Sequence, residues 1–243
     1  MRRCGDVHTL PLESLAGADV KPTRPWLLVH DPAEGEGSNV LAYGTSRDTE
    51  AIEGATALDI RWRRLSGHFA ESRFFTVRLR TEPAEEVPER IGYARDRSDD
   101  IRAALRQSLG IGTGVGSSPR PTIQRGQVVV LSAEVTEYLD GARTAVIVTE
   151  PRYSALRRHQ LLLPVYSGED DVAQPGEVEC ERPWVQSLPG APTRIVIATT
   201  TILTHSEPGR PRRPGGIVGL TVARLDAATM ENVDASLTAH LHL

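Results

Sequence analysis

At 243 residues, 39% of them hydrophobic, the chain is long enough for one large domain or two smaller ones, each able to bury a core. Its 28 Lys and Arg stand against 32 Asp and Glu, and the resulting net charge of -4 excludes a general attraction for nucleic acid; any anionic ligand needs a local basic patch. Cys4 and Cys180 lie far apart without metal-ligand spacing, no apolar run reaches the roughly 18 residues of a membrane span, and no apolar leader segment follows MRRCGDVHTL, so the expectation is a soluble cytoplasmic protein with no membrane, metal or cofactor.

Glycine (21) and proline (17) punctuate short runs rich in Val, Ile and Leu, the pattern of many brief strands joined by turns. In chain order, strands are predicted near 6–11, 25–30, 39–44 and 73–80. The segment SDDIRAALRQSLG then predicts a helix, with Ser98 as N-cap, acids in the first turn, Ile101, Leu105 and Leu109 on one face and Gly110 as the stop. The stretch GIGTGVGSSPRP has the composition of a flexible linker with a proline-stiffened exit; it lacks the lysine of a phosphate-binding loop and follows a helix instead of preceding one. Further strands are predicted near 127–135, 144–149, 160–166, 194–203 and 216–222. A last helix is predicted in DAATMENVDASLTAHL, capped by Asp226, with Met230, Val233, Leu237 and Leu241 on one face. The fold class is therefore mainly β with α (α+β), in two domains, 1–110 and 123–243, joined by a linker over 111–122.

The two halves repeat. Gly5-Asp6 opens one strand as Gly126-Gln127 opens another; Arg24 precedes PWLLVH as Arg143 precedes TAVIVT; NVLAYGTS ends at Thr45 and Ser46 as HQLLLPVYS ends at Tyr166 and Ser167; each half finishes in a helix.

This order of motifs, Gly-Asp, Arg-Pro before an apolar strand, a strand ending in Thr-Ser, then a C-terminal amphipathic helix, resembles the PemK/MazF family of toxin endoribonucleases. The resemblance is fuller over residues 1–110 than over 124–243, where Gly126, Arg143, Pro164 and Ser167 carry it. It implies two tandem SH3-like, CcdB-type barrels, each closed by a helix, and metal-independent, sequence-specific cleavage of single-stranded RNA to 2',3'-cyclic phosphate and 5'-hydroxyl ends. The family's usual homodimer implies an intramolecular pseudo-dimer here, the linker holding one half near the other at high effective concentration. An antitoxin protein is an implied partner.

In-line attack of a 2'-hydroxyl on its phosphate needs a base, a group that neutralises the phosphorane and a proton for the leaving oxygen. Arginine suits the second task, because its planar guanidinium holds two phosphate oxygens and keeps its charge. Arg24 is thus the expected clamp and Thr45, by resemblance, a hydroxyl on the same phosphate. Asp19 matches an acidic position of some members, to orient Arg24 or act as base. In the second half Tyr166 stands for Thr45 and Thr144 follows the arginine, so that copy is expected to be silent and to bind only. RNA contacts are expected from Arg61, Arg63 and Arg64 with Trp62 and His68 in RWRRLSGHF, which combines phosphate pairing with a stacking surface, and from Ser46, Arg143 and the loop arginines Arg210, Arg212 and Arg213. The acidic run GEDDVAQPGEVE, 168–179, is expected to be an exposed loop away from the cleft.

The other readings are a binding module for RNA or an antitoxin-like protein with catalysis lost, and, least favoured, a gyrase poison of the CcdB type, whose Trp-Gly-Ile ending AHLHL lacks.

Overall fold

The structure is a computed structural model that describes residues 2–11, 23–32, 37–45, 57–112, 124–131, 142–150, 159–167, 176–181, 194–206 and 217–243. The protein is mainly β with two α-helices. It divides into two compact units, Met1–Arg106 with Leu241–Leu243, and Gln107–His240, so the division falls between Arg106 and Gln107.

In the first unit β1 (Asp6–Pro11), β2 (Thr23–Leu28), β3 (Ser38–Thr45), β4 (Ala57–Arg64), β5 (Phe69–Pro83) and β6 (Gly92–Tyr93) pair antiparallel throughout. The order is β1–β2–β3–β5–β4–β6, and β6 returns to β1, closing the circuit. Successive side chains of a strand point to opposite faces. One face collects Val7, Leu27, Ala42, Phe74, Ile60 and Trp62, all buried, as the unit's core. A short 3-10 turn, Arg95–Arg97, leads into α1 (Ser98–Leu109), which buries Ile101, Leu105 and Leu109. Ser98 itself has helical angles (φ -58, ψ -38) and its amide closes the preceding 3-10 turn on the Arg95 carbonyl, so it is the first residue of the helix and not its N-cap.

The second unit contains β7 (Gln127–Leu131), β8 (Thr144–Ile147), β9 (His159–Ser167), β10 (Glu177–Glu181), β11 (Arg194–Ala198), β12 (Leu203–Ser206), β13 (Ile217–Arg224) and α2 (Ala227–His240). The antiparallel order runs β13–β7–β8–β9; β9 pairs with β12 at one end and β11 at the other, and β11 pairs with β10. Asp226 caps α2 as its sequence suggests, accepting the Thr229 amide at 2.7 Å, and Met230, Val233 and Leu237 are buried. Arg125 is fully enclosed. Its Nε donates to the Leu109 carbonyl at 3.0 Å and its Nη2 pairs with Asp234.

Several strands depart from the sequence expectation. β4 is absent from the strands expected from apolar runs, because arginines hold its outward positions; the reading of 61–69 as a strand with its basic face outward is the one that fits. β6 is two residues long. β10 takes up Glu177–Glu181, so the acidic run 168–179 ends in a strand and is not wholly a loop; its residues 168–175 lie outside the described residues. The stretch 194–203 divides between β11 and β12 because a turn interrupts it.

The two units share one hydrogen-bonding scheme. Gly5 (φ 88) donates to the Leu28 carbonyl at 2.9 Å and accepts from the Ala94 amide at 2.8 Å; Gly126 (φ 83) donates to Ile147 at 2.8 Å and accepts from Leu225 at 2.9 Å. The Asp6 carboxylate receives the Arg3 amide at 3.0 Å, and the Gln127 side-chain oxygen the Gln124 amide at 2.7 Å. His30 Nε2 accepts from the Val40 amide at 3.1 Å, where Thr149 Oγ1 accepts from Leu161 at 2.6 Å. Among the described residues no helix is long and apolar enough to cross a membrane.

Candidate nucleic-acid interface

The strand register decides which of the expected residues meet. Leu10 faces Arg24, Trp26 faces Tyr43, Thr45 faces Arg73 and Asp59 faces Arg73. Continuing the β2–β3 register two residues past Trp26 and Tyr43 sets Arg24 opposite Thr45. In keeping with this, a Cβ on Gly44 would lie 2.9 Å from the Pro25 carbonyl oxygen. Opposed residues of an antiparallel pair point to one face. Arg24, Thr45, Arg73 and Asp59 thus form a row across four strands. Arg73 and Asp59 close it with a two-pronged pair, Nε to Oδ1 at 2.7 Å and Nη2 to Oδ2 at 3.1 Å, and the Arg73 guanidinium holds the Asp59 carboxyl below its ordinary range. The next row on this face is aromatic: Trp26 meets Tyr43 edge-on at 5.6 Å, Tyr43 stacks on Phe75 at 6.3 Å, and Arg78 lies 4.5 Å over the Tyr43 ring.

Arg24 and Thr45 each expose only 2% of their surface, and both are engaged with other groups. Their shared face agrees with the phosphate clamp expected from sequence; their burial is at odds with it, because a guanidinium with so little surface is out of reach of a phosphate. Asp19, Ser46, Arg210, Arg212 and Arg213 lie outside the described residues. In the second unit Arg143 is exposed, while Tyr166 packs against a cluster of Val129, Leu131, Ala142, Ala145, Ile147 and Leu162. Tyr166 therefore spends its ring on the core.

The basic stretch 61–69 is the hairpin of β4 and β5. Alternation sends Arg61 and Arg63 outward and Ile60 and Trp62 inward. Trp62 is 3% exposed, its Nε1 donates to Ser72 Oγ at 3.1 Å, and its ring lies over Gly92, where an added Cβ would approach within 2.5 Å. The expectation that Trp62 offers a stacking surface is corrected: it is a core residue. Phe69 holds the exposed position instead. It faces Arg63 across the hairpin, is 58% exposed, and lies under Arg61, whose guanidinium carbon is 4.3 Å from the ring centre. Arg64, Leu65 and His68 complete an exposed tip. Glu71, opposite Arg61, is the one acid paired with these strand arginines in the β4–β5 register from Arg61 to Arg63. Sequence reasoning credited the wrong aromatic. Counting the pleat from Ile60, an apolar strand position, would have placed Trp62 inside and left Phe69 as the exposed ring.

Beside the tip a hollow of about 390 Å³ is lined by Arg2, Asp6, His8, Leu65, Val87, Pro88, Glu89 and Arg90. Asp6 is its anchor, and its Oδ1 accepts from Arg90 Nη1 at 3.1 Å and Arg95 Nη2 at 3.0 Å. No group of three or more metal-ligating side chains occurs among the described residues.

Fold and site together define an α+β protein with a basic, aromatic-tipped β-hairpin. Compared with known proteins, the chain matches no family model, and no curated protein is significantly similar to it.

Proposed function

We propose that the chain is a single-stranded RNA-binding module of MazF-like architecture, with the β4–β5 hairpin of the first unit as its contact surface. The observation that carries this is the exposed Phe69 ring capped by Arg61 beside Arg63, Arg64 and His68. Arginines neutralise phosphates while an exposed aromatic stacks on an unpaired base, a combination suited to single strands and indifferent to duplexes. The closed circuit of six strands followed by a helix, and the scheme shared by both units, support assigning each to the SH3-like, CcdB-type barrels. Fluorescence anisotropy with a labelled single-stranded RNA tests the reading. Phe69→Ala should weaken binding by about 1–3 kcal/mol, and Arg63→Ala should lower the salt slope by roughly 0.7. Equal binding by wild type and both variants would reject it.

RNA cleavage at the Arg24–Thr45 row is a second reading, favoured by the register that sets the two side chains on one face. It requires Arg24 to become accessible when RNA binds. Wild type incubated with RNA in EDTA should then leave 2',3'-cyclic phosphate ends, and Arg24→Ala should leave none. Intact RNA in both reactions, with binding retained, leaves the module as a binder alone.

A further inference from the structure

The outer face of the first unit's sheet carries a second basic station, away from the hairpin tip. The register sets Phe69 opposite Arg63, Arg63 opposite Tyr93 and Tyr93 opposite Asp6, so these residues form one row across β5, β4, β6 and β1. Opposed residues of antiparallel strands share a face. The chain neighbours Trp62, Gly92 and Val7 are buried, which puts the row on the side away from the core.

Two guanidinium groups meet at the far end of this row. Arg90 and Arg95 each lie 5.7 Å from the centre of the Tyr93 ring. Asp6 holds both on one oxygen: its Oδ1 accepts from Arg90 Nη1 at 3.1 Å and from Arg95 Nε and Nη2 at 3.1 and 3.0 Å. These bonds leave Nη2 of Arg90 and Nη1 of Arg95 to donate elsewhere. The carboxylate is 1% exposed, whereas the arginine side chains are 32% and 39% exposed, so the cations and not the anion meet solvent. Arg63 and Arg64, opposite Tyr93 and Gly92, bring further positive charge to the same place. The acids next in the chain, Glu89 and Asp96, are exposed and are not the groups that hold Arg90 or Arg95.

We propose that Arg90 and Arg95 form a phosphate station that grips the backbone of the same RNA whose base stacks on Phe69, so that the RNA crosses β4 at Arg63 instead of following the hairpin to its tip. Guanidinium groups fixed by a buried carboxylate present their remaining donors to phosphate oxygens in a set geometry, and little side-chain freedom is left to lose on binding. Phe69 and Tyr93 stand two strand spacings apart, roughly 10 Å. Bases that stay stacked advance only about 3.4 Å per nucleotide along one strand. RNA that spans the row is therefore drawn out and unstacked, which a single strand permits and a duplex does not. This station rests on the RNA-binding reading and adds to it the direction of the RNA and its second contact.

The test uses the full chain and oligouridine, since base stacking is sequence-tolerant. Arg95→Gln leaves Asp6 its Arg90 partner and the Arg3 amide, and should bind about tenfold more weakly, with a salt slope lower by roughly 0.7. Arg95→Lys keeps a cation beside Asp6 and should lose less. A readout on the unaltered protein comes from 15N-labelled arginine, with the Arg95 Nε resonance assigned by its absence in Arg95→Lys. Oligouridine should move that resonance in a saturable way, and an oligouridine whose linkages are all uncharged methylphosphonates should not. An unmoved Arg95 with wild-type affinity in Arg95→Gln overturns the station, and the hairpin reading stands if Phe69→Ala still weakens binding. A moved Arg95 with undiminished binding by Phe69→Ala keeps the station and rejects the hairpin. Inorganic phosphate that moves Arg95 as far as oligouridine does at equal concentration overturns the assignment to RNA, and oligouridine that does not bind the wild type overturns both readings.

Discussion

Gly5 and Gly126 occupy equivalent places with almost the same positive φ, yet their surroundings differ. A Cβ on Gly5 would lie 2.8 Å from the Ala94 carbonyl oxygen, whereas on Gly126 its nearest neighbour is a flexible Met230 carbon at 3.4 Å. Gly126→Ala should therefore lose only the roughly 1–2 kcal/mol of a left-handed residue. Gly5→Ala should lose more, because backbone must also shift. Urea midpoints of the two variants measure the difference, and equal losses would contradict the geometry. His8 gives a second residue-scale prediction. Desolvation holds its folded pKa below the 6.5 of the unfolded chain, with Arg2 and Arg90 adding to the lowering, the Pro88 hydrogen bond and Asp6 opposing it. The unfolded chain then binds a proton that the folded chain refuses. The stabilisation is present above pH 6.5 and is lost as pH falls through the folded value. Urea unfolding across this window should show the loss in wild type and a shallower slope in His8→Gln.

Among the elements, α2 depends on a cap that is legible without a structure. Asp226 accepts the Thr229 amide, and these hydrogen bonds hold its carboxyl below the ordinary carboxylate range. Asp226→Ala should cost about 1 kcal/mol, read from urea midpoints at pH 7, and Asp226→Asn much less, since the amide oxygen still accepts. α1 shows the reverse, because Ser98 has the right residue type and lies inside the helix. A cap is a backbone conformation as well as a side chain, and the 3-10 turn at Arg95–Arg97 sets that conformation from upstream. Apolar runs located β1, β2, β3, β7, β8 and β9. β4 and β6 escaped because a strand whose outward positions are arginine, or one only two residues long, carries no apolar run; their pairing partners make them strands.

For the molecule as a whole, both thiols are sealed. Cys4 is 3% exposed, and burial with Asp31 nearby pushes its pKa up to about 12; burial likewise raises Cys180. Neither cysteine is in a disulfide. A disulfide-exchange reagent at pH 8 should find no fast thiol in the native protein and two per chain in denaturant; a fast native thiol would show an opening that the structure lacks. The chain by itself determined the mainly β class, the two closing helices, the Asp226 cap and the glycine-led starts of both units, since these follow from local periodicity and backbone allowance. Tertiary structure alone decided that Arg24, Thr45 and Trp62 are covered, that Phe69 is the exposed ring, and that His8 and Arg90 border one hollow. A period of two assigns residues to two faces of a strand, but which face meets neighbouring chain and which meets solvent depends on segments distant in sequence.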